Sequence, residues 1–239
     1  MMRTRVSYVD EQQPLEGYLA VPDSARNLPG VLLAPSWLNV NDSICRRADR
    51  IADLGYAAFV VDLFGSGVHP GPPQNPMHVV GPFLNDRLQF RRRLCAGLRA
   101  LQGRPECNPD RIAAIDYCIG GCGVLELARG GAPLLGAISL HGILNSPLPA
   151  RPDAIAAKIL VLHGDADPVV PLESVIAFRE EMRLADANWQ INIYGEAKHS
   201  FTGEGAMGDR TPEAGLHAQT EARSWQTTVE FLREVLVDW

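Results

Sequence analysis

Four side chains able to do nucleophilic chemistry are scattered along a chain of 239 residues: the thiol of Cys118, the carboxyls of Asp165 and Asp167, and the imidazole of His199. A thiol becomes a nucleophile when a base stands within hydrogen-bond reach and a third group orients that base, which is the set needed for acyl transfer through a covalent intermediate. Cys118 stands in Arg111-Ile-Ala-Ala-Ile-Asp-Tyr-Cys118-Ile-Gly-Gly-Cys-Gly123, where an apolar run ends on a reactive residue and passes at once into glycines. This is the outline of a nucleophile elbow, spaced as G-x-S-x-G with cysteine for serine and Asp116 at the first glycine. Gly120 and Gly121 are expected to let the backbone turn sharply, and Val124-Leu-Glu-Leu-Ala128 to begin a helix whose positive N-terminal end favours thiolate. Asp116 fits if its side chain points away from that helix. Taken alone, Cys118 reads better as a small apolar residue closing a buried strand. A metal or disulfide pair of Cys118 and Cys122 lacks a second ligand pair at suitable spacing. Ser66 and Ser200 have no elbow around them.

The other groups follow later apolar runs. His163-Gly-Asp165-Ala-Asp167-Pro168-Val-Val-Pro171 carries two carboxylates, either of which could orient a base, and Glu196-Ala-Lys-His199-Ser200-Phe201 carries the imidazole. Nucleophile, acid and histidine thus occur in the chain order of α/β-hydrolases, each beyond the end of a strand. His141 and His163 are each followed by glycine at a strand end and read as buried histidines, with pocket lining a second reading. His69, His78 and His217 read as surface residues.

The elements that must position these groups alternate. Residues 3–9 and 15–21 flank the polar turn at 10–13 as an edge hairpin. Gly30 to Ala34, Tyr56 to Asp62, Arg111 to Tyr117, Leu135 to His141 and Lys158 to His163 are continuous apolar runs, as in parallel strands buried on both faces, and Trp189 to Tyr194 alternates as a further strand. Between them Asp42 to Leu54, Glu173 to Ala185 and Thr220 to Val237 have helical periodicity. So does a stretch with Leu84, Leu88, Cys95, Leu98 and Leu101 as its apolar stripe and Arg91 to Arg93 on its solvated side. Phe64 to Pro82, rich in glycine and proline and including Pro72, reads as a surface excursion. The expected fold is one α/β domain over residues 1–239, a doubly wound, mostly parallel sheet with helices on both faces and no separate cap.

Composition narrows the function. A net charge of −6 and the lack of a Lys/Arg cluster interleaved with aromatics disfavour nucleic acid. No apolar run approaches the ~18 residues of a membrane span. Five cysteines, an odd number, and an N-terminus without an apolar signal core indicate a reducing, cytoplasmic setting.

On its motifs the chain resembles the dienelactone hydrolase family of the α/β-hydrolase superfamily. The matching residues are the cysteine elbow Tyr117-Cys118-Ile119-Gly120-Gly121, the H-G-x-x-D-x-x-x-P segment from His163 to Pro171, and His199-Ser200-Phe201. The resemblance, spanning roughly residues 15–237, implies Cys118 as nucleophile, His199 as general base and then acid, and Asp167 rather than Asp165 as the group fixing the histidine tautomer. It also implies oxyanion donors at the backbone N–H of Ile119 and Trp37, a small ester or lactone as substrate, and neither cofactor nor metal. Ser36, His141, Ser200 and Phe201 are expected around the pocket. Where the family commonly carries a glutamate and soon afterwards a glycine, this chain has Ser36 and Asn39. The loop with Ser36 and Trp37 is therefore expected to form a less anionic, partly aromatic pocket mouth, favouring neutral aryl and short-chain esters over carboxylated lactones. Attack on activated phosphotriesters is a side reaction open to the same groups. The competing readings are acyl transfer or thioester hydrolysis on the same triad, and a non-catalytic ligand-binding protein on a hydrolase fold.

Overall fold

The computed structural model describes residues 1–71, 73–203 and 214–237; Pro72 lies outside them. The elements in order are β1 (Met2–Asp10), β2 (Gln13–Val21), β3 (Leu28–Ala34), α1 (Asp42–Ala52), β4 (Ala57–Val60), α2 (Pro76–Asn85), α3 (Arg87–Gln102), β5 (Cys107–Tyr117), α4 (Ile119–Arg129), β6 (Gly136–Leu140), β7 (Lys158–Gly164), α5 (Leu172–Leu184), β8 (Trp189–Tyr194) and α6 (Ala218–Leu236). The eight strands form one sheet in the order β1-β2-β4-β3-β5-β6-β7-β8. The β1-β2 hairpin joins antiparallel, through β2 to β4, and every later pairing is parallel.

Both faces of the sheet are covered. Along β5, Ile112 and Ala114 enter one apolar cluster with Phe90 and Leu94 of α3, Val124 of α4 and Phe178 of α5. Ala113, Ile115 and Tyr117 enter another with Ile44, Ala48 and Ile51 of α1 and Leu232 of α6. Successive side chains of a strand point to opposite faces, so an unbroken apolar run is what a strand sandwiched between helix layers requires. No helix among the described residues is long and apolar enough to cross a membrane.

Three expectations are corrected. The Gly/Pro excursion ends at residue 75, and Pro76 to Asn85 is the helix α2, capped by Asn75, whose side chain accepts from the backbone N–H of Met77. Pro76 occupies the first turn, where a missing N–H does no harm, so proline there marks a helix start rather than a loop. The second correction concerns the next stripe, which is split at Asp86: this residue ends α2 and caps α3, accepting from Gln89 N–H at 2.9 Å. Leu88 is 65% exposed, and Phe90, Leu94, Leu98 and Leu101 form the buried face. Nor is the arginine triplet wholly on a solvated side: Arg92 is exposed, but its neighbours are not. Arg93 is buried and paired with Asp10 at 2.8 Å, while Arg91 pairs with the buried Glu126 at 2.8 Å. A buried carboxylate demands such a partner, which a helical stripe of apolar residues does not reveal.

Candidate active site

The elbow is tighter than its glycines suggest. α4 begins at Ile119, directly after β5 and Cys118 and five residues before the expected start at Val124, so Cys118 alone makes the turn, with φ 58° and ψ −120°. A non-glycine residue is strained there, and the strain lifts its side chain off the sheet edge at the helix N-terminus. Gly120 and Gly121 lie inside the helix and provide room instead. A Cβ on Gly120 would sit 1.1 Å from Oδ2 of Asp116, and one on Gly121 would sit 2.7 Å from Oγ of Ser139. Asp116 therefore points at the helix, contrary to expectation, and Gly120 makes its space. Its Oδ1 accepts from Tyr117 N–H at 2.5 Å.

Two loops bring the other groups to this sulfur. Beyond β7, Ala166 N–H donates to Ala197 O at 3.0 Å and Asp165 N–H to Tyr194 O at 2.9 Å, stitching the loop to the one that follows β8. Gly164 permits the approach, since a Cβ there would lie 2.4 Å from Ala197 O. Asp167 is buried while Asp165 is exposed. Oδ1 of Asp167 accepts from the backbone N–H of Val169 (2.8 Å) and Val170 (3.0 Å), which leaves Oδ2 for Nδ1 of His199 at 2.9 Å. On the far side of the ring, Nε2 lies 3.4 Å from Cys118 Sγ. Burial opposes charging of His199, but the hydrogen bonds to Asp167 and Cys118 outweigh it and push its pKa up to about 10. An imidazolium beside sulfur is the partner a thiolate needs.

Behind His199 lies a second imidazole. His141, 1% exposed and with φ 41°, packs edge-to-face on His199 at 5.3 Å between centroids and on Phe201 at 5.1 Å. Its Nε2 meets Thr202 Oγ1 at 2.8 Å, and burial holds its pKa well below the ordinary value. Thr202 O in turn accepts from Arg47 at 2.8 Å, and Arg47 lies over the ring of Tyr117, the residue before Cys118, at 4.4 Å. Side chains of α1, β5 and the histidine loop thus interlock around the site.

A family model described as the dienelactone hydrolase family matches residues 15–236. The chain belongs to the dienelactone hydrolase family. It is 32% identical to a solved structure described as a dienelactone hydrolase-like promiscuous phosphotriesterase, P91, from metagenomic libraries, with 98% of each chain covered and a TM-score of 0.88. A putative carboxymethylenebutenolidase of Escherichia coli (strain K12) is 30% identical over 223 residues, 87% of this chain and 77% of that protein. A probable 2-oxo-3-(5-oxofuran-2-ylidene)propanoate lactonase of a Bradyrhizobium species is 26% identical over 195 residues, 77% of each.

In this member of the dienelactone hydrolase family, the residues expected around the pocket are mostly enclosed. Phe201 is 0% exposed and, with His141, stands behind His199 rather than on an open wall. Ser200, with φ 55°, turns the chain between them. Ser36 and Trp37 are each 5% exposed, and Trp37 belongs to the apolar cluster that contains Phe83, so no aromatic mouth is formed there. Asn39 has a structural task. Its Nδ2 donates to Asp62 Oδ1 (2.8 Å) and Val68 O (2.9 Å), and its Oδ1 accepts from Leu63 N–H at 3.0 Å, tying the loops after β3 and β4 together. No group of three or more His, Cys, Asp or Glu side chains among the described residues is placed to hold a metal ion. His163 is buried, with its pKa lowered by that burial. His217 Nδ1 meets Thr220 Oγ1 at 2.7 Å, while His69 and His78 flank a cavity. Sequence reading missed Arg47 and Thr202. The sign of Arg47 was there: it occupies the apolar face of α1 between Ile44 and Ala48, where a charge must find a buried partner.

Proposed function

We propose that this chain hydrolyses small activated esters or lactones through a Cys118-His199-Asp167 triad. The observation that carries the reading is the continuous path from Asp167 Oδ2 through His199 to Cys118 Sγ, at 2.9 and 3.4 Å, with the sulfur held on a strained turn. The Cys118 thiolate attacks the carbonyl carbon and forms a carbon–sulfur bond. The backbone N–H groups of Ile119 and Trp37 stabilise the oxyanion. Collapse expels the alkoxide, which takes the proton from His199 Nε2 and leaves a thioacyl-enzyme. Water then attacks the thioester while giving a proton to Nε2, and the departing thiolate restores the ion pair. Asp167 stays ionised throughout, holding the ring with Nδ1 protonated.

The described residues act as one α/β-hydrolase domain, without a separate cap among them. The five cysteines are free, which suits a reducing cytoplasm. The likeness to P91 supports a side activity on activated phosphotriesters, in which the same sulfur attacks phosphorus, expels the leaving group and is later displaced by water. The test is a panel of nitrophenyl esters, small lactones and a phosphotriester such as paraoxon, run beside Cys118→Ala. Turnover is expected in the wild type and loss in the variant; full activity without the thiol would overturn the mechanism. Added alcohol or thiol acceptors separate hydrolysis from acyl transfer by the products formed.

A further inference from the structure

A cavity of about 450 Å3 is built from the loop after β4 and from α2 and α3. The mechanism uses none of its walls. Its floor is aromatic: Phe64 and Phe83 lie 5.7 Å apart between centroids, and the Arg93 guanidinium sits 5.7 Å from the centroid of the Phe83 ring. His69, His78 and Gln74 form an exposed polar rim. Arg93, which lines the cavity, is 6% exposed, with its Nε given to Asp10 at 2.8 Å and its Nη1 to Leu63 O, which leaves Nη2 as its remaining donor. Because Asp10 already balances this arginine, a neutral acceptor suits Nη2 without a charge of its own.

The cavity lies on the working edge of the sheet. Phe64, Trp37 and Cys118 follow the C-terminal ends of β4, β3 and β5, which are neighbours in that order. Two inter-strand spacings separate β4 from β5, or about 10 Å. Asn39 bonds Val68, a wall residue, to the turn that carries Trp37.

We infer that this cavity is a distal subsite for an aromatic group of the substrate, on the same edge of the sheet as Cys118, the ring lying against Phe64 and Phe83 and a neutral oxygen accepting from Arg93. The inference rests on the hydrolase reading and adds a substrate class to it: esters whose acyl chain ends in an oxygen-bearing aryl ring.

The experiment uses nitrophenyl esters with one leaving group and different acyl chains: acetate, an unbranched alkanoate, and a 6-(4-methoxyphenyl)hexanoate matched to the alkanoate in length. The aryl-tipped ester should exceed its alkyl match about tenfold in kcat/KM, within the range of one well-placed aromatic contact. Phe64→Ala and His78→Ala should bring that ratio towards one, mainly through KM. A wild-type ratio near one, or a ratio untouched by both variants, would overturn the inference. If the acetate itself is not turned over, the hydrolase reading fails separately. The cavity is then judged by binding of 6-(4-methoxyphenyl)hexanol to Cys118→Ala, read from the imidazole NMR signals of His69 and His78. Shifts confined to those two support the site, and unmoved signals at millimolar alcohol refute it.

Discussion

Cys118 and His199 form a contact whose value depends on charge. On the proposed mechanism, in which the three groups act as a unit, each of Cys118→Ala, His199→Ala and Asp167→Ala should lose most activity while staying folded, and double variants should lose little more. Asp167→Ala should cost least, as an orienting residue. Equal independent losses, measured as kcat, would contradict the shared mechanism. The raised pKa of His199 has a pH signature. An imidazolium is present below about 10 and is lost as pH rises through that value, so protonation of the leaving group, and with it kcat/KM, should fall there. The stability that the charged ring contributes follows the same sign: complete below the ordinary imidazole value of about 6.5, and gone above the folded-state pKa. Iodoacetamide should alkylate Cys118 quickly near neutral pH in the wild type and more slowly in His199→Ala. Slow alkylation that is indifferent to His199 would dispose of the ion pair.

Between β5 and α4 the decisive fit is steric. Asp116 fills the space that Gly120 leaves, so Gly120→Ala should destabilise by the upper part of the about 1–3 kcal/mol usual for overpacking, or by more. Asp116→Gly in the same chain should recover most of the lost Tm. A Gly120→Ala protein as stable as the wild type would mean that the elbow has slack. α1 reaches the site through Arg47. Arg47→Met keeps the stem but drops the charged hydrogen bond to Thr202 O, of the class worth about 1.5–3 kcal/mol. Since Thr202 also holds His141 against His199, kcat should fall more than KM rises, which steady-state kinetics on one aryl ester would resolve.

Across the whole molecule, the triad groups and the aromatic cavity share one edge of the sheet because β4, β3, β5, β6, β7 and β8 are parallel and their following loops open on the same side. With Ser36 enclosed and no carboxylate beside the sulfur in the loop after β3, substrate choice passes to the surroundings of that edge. Neutral aryl esters should therefore exceed a carboxylated dienelactone in kcat/KM. A large excess for the dienelactone would overturn this preference.

The parallel sheet and its helix layers were legible in the chain because they depend on local pattern, apolar runs long enough for buried strands; Cys118 and His199 stood out as candidates in short motifs at strand ends, while Asp167 was preferred to Asp165 only through the family resemblance. Proline misled at Pro76, where the residue starts a helix, and the arginine triplet misled because pairing with Asp10 and Glu126 joins residues far apart in sequence. The same holds for Arg47, Thr202 and His141. Their roles arise from contacts across α1, β5 and the histidine loop, and no spacing within one element encodes them. Asp116 was visible as a departure, but only the packing of β5 against α4 decided that its carboxyl lies over Gly120. Local periodicity determines what kind of element forms and which face it buries. Which charges meet once those faces are buried is a property of the assembled layers, and at this site it is what orients the histidine beside the sulfur.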